Sequence, residues 1–361
     1  MTVAGRGSCP RSGERRPKRI VDSHFHYFPR PFWEALCKRS GYPKVERNGR
    51  GYHYWRSEGA PETMSPWPEW FELDDQLAHM DSLGRDIDAV GSTGPFGIYF
   101  SELEKSEGAE AATFWNEEMA LAQRTHPGRF WGTAAVPLVD TATAIDVVNH
   151  AAKLGLRGVN LPGSIGNDAR IDAERLEPFY DRVEELGLPL FLHPTDAIFL
   201  DLMYDGYNGA LFMSLGRVVE VSTAAMRLVL SGIMERHPKL IVVMSHTGGA
   251  LPYQAGRMDK NSKRAKLPQD PSVYLKRMYT DTVSPHTLGM KTAIEFYGAD
   301  HVMYGSDYPC WVPADALRYL EGVGLSAADN ELVLNANAHR VLRLDEPTPA
   351  AAPAREAVGT R

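Results

Sequence analysis

Eight short apolar runs recur along the chain, most of them separated by a segment with helical periodicity. The runs cover residues 20–26, 87–90, 130–136, 158–161, 190–194, 240–244, 274–281 and 302–307. Several are continuously apolar, as strands covered on both faces require. Helical patterns fall at 32–39, 73–83, 111–124, 141–154, 174–186, 217–236, 288–297 and 330–342. Glycine closes three of these, at Gly84, Gly155 and Gly187. Strands alternating with helices in this number predict an α/β fold, a (β/α)8 TIM barrel. A segment rich in Gly, Pro, Tyr, Trp and Arg, residues 41–70, interrupts the alternation after the first strand. It is too short for a core of its own. Its Tyr52-His53-Tyr54-Trp55 stretch predicts a small hairpin, and its aromatic and arginine content suits a lid. An interface or plain surface decoration would have the same composition.

The chain has 361 residues, 43% hydrophobic and 24% charged, with a formal net charge of −7. That charge offers no broad basic surface for nucleic acid. No apolar run reaches the roughly 20 residues of a membrane span. Cys9, Cys37 and Cys310 form neither a CxxC pair nor an even framework, which suits a reducing cytoplasm. Residues 1–19 are rich in Arg, Gly, Ser and Pro without an apolar segment, and 345–361 are Pro/Ala-rich. Both read as disordered ends flanking one barrel unit at 20–344.

In a barrel of this kind, chemistry gathers at the C-terminal ends of the strands. The first run ends Asp22-Ser23-His24-Phe25-His26. Residues two apart on a strand face the same way, so His24 and His26 can converge. The fifth run ends at His193, the sixth at His246 and the eighth at Asp307. Imidazole is the commonest protein metal ligand, and carboxylate completes such sets. A lone His-x-His in a polar loop would carry no such meaning. Histidines or a carboxylate at four strand ends are hard to obtain by chance.

These residues resemble the amidohydrolase superfamily, and within it the branch of aminocarboxymuconate semialdehyde decarboxylase and the metal-dependent aromatic-acid decarboxylases. The matching stretches are Asp22-Ser23-His24-Phe25-His26, Leu192-His193-Pro194, Ser245-His246-Thr247-Gly248-Gly249, Gly256-Arg257 and Gly305-Ser306-Asp307-Tyr308-Pro309. The resemblance implies one divalent metal, Zn²⁺ or Mn²⁺, held by His24, His26, His193 and Asp307. It assigns His246 a general-base or electrostatic role. The chemistry of decarboxylation sets Asp307 beside the reacting carbon, as the acid that protonates it when the metal chelates the carboxylate. It further implies a small carboxylate substrate and a homodimer, with Arg257 clamping the anion across the dimer. Arg217 and the insertion's Arg47, Arg50 and Arg56 are further candidates for that clamp.

Two departures stand out. Binuclear members place a carboxylated lysine at the end of strand four, where this chain has Asn160; Lys153 lies in the preceding helix. The related decarboxylase carries an arginine just before the helix at 73–83, where this chain reads Trp70-Phe71-Glu72. The expected reaction is loss of CO₂ from an unsaturated or aromatic acid. The same residues would serve a hydrolase of a lactone, ester or amide, or a hydratase. A barrel kept only as a binding scaffold would have no use for the ligand set.

Overall fold

A computed structural model describes residues 19–58, 66–165, 170–195, 203 and 207–347. Most of both chain ends, 1–18 and 348–361, and part of the insertion, 59–65, lie outside the described residues. The strands are β1 (Ile20–His26), β2 (Lys44–Asn48), β3 (Gly51–Trp55), β4 (Ile87–Ser92) and β5 (Phe130–Gly132). They continue with β6 (Val159–Pro162), β7 (Leu190–His193), β8 (Val242–Met244), β9 (Tyr279–Asp281) and β10 (Val302–Met303).

All the strands except the β2–β3 hairpin run parallel, in a sheet of three, β1-β4-β5, and a sheet of five, β10-β9-β8-β7-β6. The sheets meet at both edges. At one, Ala134 N donates to Gly158 O and Asn160 N to Ala134 O, each at 2.8 Å. At the other, Asp307 N donates to His24 O and His26 N to Tyr308 O, each at 2.8 Å. The eight expected strands thus form a closed α/β barrel. Its lower interior is filled by Val21, Val90, Trp131, Phe191, Val243 and Met303. The helix Asn337–Leu342 packs onto this plug with Ala338, Val341 and Leu342. Branched and aromatic side chains therefore close the bottom, and function is left to the strand ends.

The helices follow their local signals. Asp140 caps Thr141–Leu154 by accepting from Thr143 N at 2.9 Å, and Gly155 ends it at φ +82°. The helix expected over 217–236 is two, Arg217–Leu230 and Ile233–Arg236, because Gly232 adopts φ +82° between them. Helices at Leu251–Asn261 and Pro313–Glu321 were not expected from the sequence; each carries proline at its first or second position.

The insertion forms the predicted hairpin. Tyr52 and Tyr54 are buried against Trp33, Phe71 and Phe96. Its arginines pair with glutamates: Arg47 with Glu34 at 2.5 Å, Arg50 with Glu72 at 3.2 Å, and Arg56 with Glu102. At its end, the Trp70 ring stacks on the His26 imidazole, 5.1 Å between centroids and 12° from parallel.

Candidate metal centre

β1 carries a register shift between Asp22 and Phe25. A bulge of this kind re-aims the side chains around it, and here it holds Ser23 and His24. Asp22, fully buried behind them, accepts from Ser306 N at 3.0 Å and Ser306 Oγ at 2.5 Å, tying β1 to the approach to Asp307. Burial pushes the Asp22 carboxyl up to about 7, against the hydrogen bonds from Ser306. Glycine is needed beside the histidines. A Cβ on Gly305 would come within 2.7 Å of His24 Cβ, and one on Gly94, at φ +53°, within 2.6 Å of the His26 ring.

The strand ends bring the predicted side chains together. The His24 ring centroid lies 5.1 Å from His26, 5.2 Å from His193 and 5.2 Å from His246. Asp307 Oδ1 stands 2.8 Å from His26 Nε2 and 3.4 Å from His24 Nε2. Two ligands of one tetrahedral ion with bonds of about 2.0–2.1 Å stand about 3.4 Å apart, so the His24–Asp307 span suits shared coordination, while His26 stands at hydrogen-bonding distance from Asp307. Asp307 Oδ2 faces His246 Nε2 at 3.8 Å. One ligand atom from each of His24, His193, His246 and Asp307 lies within 4.8 Å of the others. His26 joins them through Asp307.

Hydrogen bonds decide which nitrogen each ring offers. His24 Nδ1 lies 2.5 Å from Asp281 Oδ2, and a carboxylate only accepts, so Nδ1 carries the proton there. His193 Nδ1 likewise donates to Pro194 O at 2.7 Å. Both rings then present Nε2 inward, and both Nε2 atoms are buried without a hydrogen-bond partner. Such orphaned nitrogens are costly unless a cation or proton occupies the space between them. His26 is held on its other side by Ser92 Oγ, 3.1 Å from Nδ1.

The electrostatics agree. Burial pulls the His24 imidazole down, but Asp281 and Asp307 together override it and push it up to about 10. His193, buried among His24, His26 and His246, is held well below its ordinary value. Burial would raise the Asp307 carboxyl, yet the His24, His246 and His26 imidazoles around it hold it well below the usual range. At the position of the binuclear lysine, Asn160 Nδ2 donates to Ala134 O at 2.8 Å and Thr133 Oγ1 at 3.0 Å, while Lys153 is exposed on its helix. Neither offers a ligand for a second ion.

The two arginines stand differently. Arg257 is exposed on Leu251–Asn261, and its side chain forms no hydrogen bond or ion pair among the described residues. Arg217 opens Arg217–Leu230, its guanidinium 6.0 Å from the Phe212 ring centroid. Sequence reasoning missed Asp281. It ends β9 as the other site residues end their strands, and that position was the available signal.

The Amidohydrolase family description matches residues 21–344. The chain belongs to the amidohydrolase family. Among relatives of this amidohydrolase, gamma-resorcylate decarboxylase of Rhizobium sp. (strain MTP-10005) is 27% identical over 316 residues, covering 79% of this chain and 95% of the relative. The 2-amino-3-carboxymuconate-6-semialdehyde decarboxylase of Dictyostelium discoideum is 25% identical over 283 residues, covering 75% and 77%. The dihydroxybenzoic acid decarboxylase of Polaromonas sp. JS666, solved with manganese and 2-nitroresorcinol, superposes with a TM-score of 0.72 at 23% identity, covering 91% and 98%. Among the described residues no helix is long and apolar enough to cross a membrane.

Because His24 must give up its Nε2 proton to ligate, metal and proton compete for it. Metal binding is expected to release a proton near neutral pH, and affinity to rise with pH by up to about tenfold per unit below about 10. Titration of metal-free protein with Zn²⁺ or Mn²⁺ in weakly buffered indicator solution measures both, and elemental analysis should give one ion per chain. Affinity independent of pH, or a stoichiometry near two, would remove His24 as a ligand or the mononuclear assignment respectively.

Proposed function

We propose that this amidohydrolase is a metal-dependent decarboxylase, a carbon–carbon lyase acting on a small aromatic or unsaturated carboxylic acid. The carrying observation is the division of the Asp307 carboxylate, with Oδ1 toward His24 and His26 and Oδ2 toward His246. The decarboxylases among its relatives support the reaction class. The ion would be held by His24, His26, His193 and Asp307, with His246 outside the set. Bound there, a divalent ion would supply a Lewis acid and a template for the substrate carboxylate and a neighbouring oxygen. Zn²⁺ is favoured by the imidazoles; the carboxylate also suits Mn²⁺, the ion in the Polaromonas enzyme.

The chain's own residues handle protons. Loss of CO₂ leaves an electron pair on carbon, which must take up one proton. Asp307 is held ionised by the imidazoles around it and is a poor acid. His246 therefore delivers the proton, and Asp307 Oδ2 beside it orients the ring and steadies its charged form. Where the substrate carbon is unsaturated, the same imidazole can instead take a proton from an attacking water before CO₂ departs. The buried β1 histidines and Trp70 close one side of this space against solvent.

The substrate anion needs a cation beyond the centre. We assign this to Arg257 of a second copy in a cytoplasmic homodimer. Arg257 lies one helical turn after Tyr253, which is 80% exposed, so the two share one outward face of Leu251–Asn261.

Incubation with carboxyl-labelled aromatic and unsaturated acids should yield labelled CO₂ and the protonated product. Turnover of esters, lactones or amides with no CO₂ from any acid would move the assignment to hydrolase. His246→Ala should keep its metal and lose about 10²-fold or more in kcat; metal loss as complete as in His193→Ala would make His246 a ligand. Arg257→Lys, which gives up bidentate contact, should raise KM roughly tenfold with kcat little changed. Unchanged kinetics, or full activity in a monomer seen by sedimentation, would remove Arg257 as the partner-supplied clamp.

A further inference from the structure

Asp281 is 2% exposed at the end of β9, and its carboxylate is fully used. Oδ2 accepts from His24 Nδ1 at 2.5 Å and from His246 N at 3.2 Å. Oδ1 accepts from Thr247 N at 3.1 Å and Val283 N at 2.9 Å. A carboxylate has about four acceptor positions, and four donors fill them. Asp281 is therefore left without a lone pair for an ion or for substrate, although it touches a ligand of the proposed centre.

The segment it holds is strained. His246 and Thr247 adopt φ +54° and +56°, the left-handed region. That conformation is costly for non-glycine residues and persists only where the surroundings impose it. Two of the four donors to Asp281 are the N–H groups of these two residues. A third is the imidazole that presents Nε2 to the proposed ion. One carboxylate thus braces a ligand and the turn bearing the proton donor, from two different strand ends.

We propose that Asp281 is a positioning residue that registers His24 and His246 against each other, fixing the tautomer of the first and the strained backbone of the second. The proposal rests on the reading that His24 ligates metal and His246 moves the proton. It adds that metal affinity and proton transfer share one support.

The test is Asp281→Asn, which keeps shape but makes one acceptor a donor. That amide must face either the His24 N–H or the backbone N–H groups. With the circular dichroism spectrum unchanged, Co²⁺ should bind about 10–100-fold more weakly, with a shifted visible spectrum. The His246 ring resonances, assigned by their absence in His246→Ala, should shift, and at saturating metal kcat should still be down at least tenfold with KM little changed. Adding Thr247→Gly, which tolerates the left-handed turn without a brace, should return part of kcat and none of the metal affinity. Unchanged Co²⁺ affinity, or unmoved His246 resonances, would overturn the proposal.

If Asp281→Asn fails to fold, the unmutated protein decides. The His24 Nδ1 proton should give a low-field resonance that persists when Zn²⁺ is bound, and its loss on loading would overturn the assignment. These metal and resonance measurements do not depend on the reaction. Intact Asp281 effects without CO₂ release would therefore sink the decarboxylase reading alone.

Discussion

The hydrogen bonds between the first strand and the segment after the last one hold this molecule's chemistry together. His24 O accepts from Asp307 N, and Tyr308 O accepts from His26 N, both at 2.8 Å. Without them β1 would be an open edge, and His26 and Asp307, 281 residues apart in sequence, would have no reason to meet. Closing the ring makes the candidate metal centre a product of the seam. Asp307 stands at φ +61° there, its conformation imposed by a backbone bond to the chain that carries its partners. Buried Asp22 reinforces the seam from behind by gripping Ser306. Stability of the barrel and geometry of the site are therefore the same property at this point.

The sequence made legible what periodicity and strand-end chemistry can encode. Several of the eight strands were readable because a strand buried on both faces leaves a continuous apolar run, and the rest from their place in the strand–helix alternation. His24, His26, His193, His246 and Asp307 were readable because histidine and carboxylate at the end of such a run lack a packing rationale. Asp281 was harder, for its run, Tyr279-Thr280-Asp281, is mostly polar and ends in a residue that is common in turns. The bulge at Ser23-His24 was invisible, since register belongs to the pairing partner and is not written in either strand. The division of the 217–236 helix turned on whether Gly232 takes a left-handed conformation, which only the packing of Ile233 and Met234 into the core decides. The stacking of Trp70 on His26 lay beyond reach because it joins an irregular insertion to a strand end.

Charge is distributed unevenly, with the carboxylates on the inside. Asp22, Asp281 and Asp307 are all buried around the imidazoles. Each is held by donors: Asp22 by Ser306, Asp281 by His24 and the His246–Thr247 backbone, and Asp307 by the His26 ring, with His24 and His246 beside it. In the metal-free protein the balancing positive charge is on His24. Metal would replace that proton with a doubly charged ion, raising the local charge by one without moving a side chain. With Asp281 and Asp307 ionised, the loaded centre would be close to neutral, so a substrate carboxylate needs a further cation.

That balance bears on which arginines could meet a substrate anion. Of the arginines nearest in sequence to β1, Arg47, Arg50 and Arg56 are committed to Glu34, Glu72 and Glu102, and Arg30 shares Glu72 with Arg50. Drawing one of them toward the site would break its ion pair. For Arg56, whose pair is only 12% exposed on both sides, that would leave a mostly buried glutamate uncompensated, at about 3–5 kcal/mol. The hairpin is thus fastened by the very side chains that would have made it an anion-binding lid. What the insertion contributes to the centre is Trp70, whose buried ring packs on the His26 imidazole. That contact seats His26, so the ion pairs that fasten the hairpin also fix one face of the candidate centre.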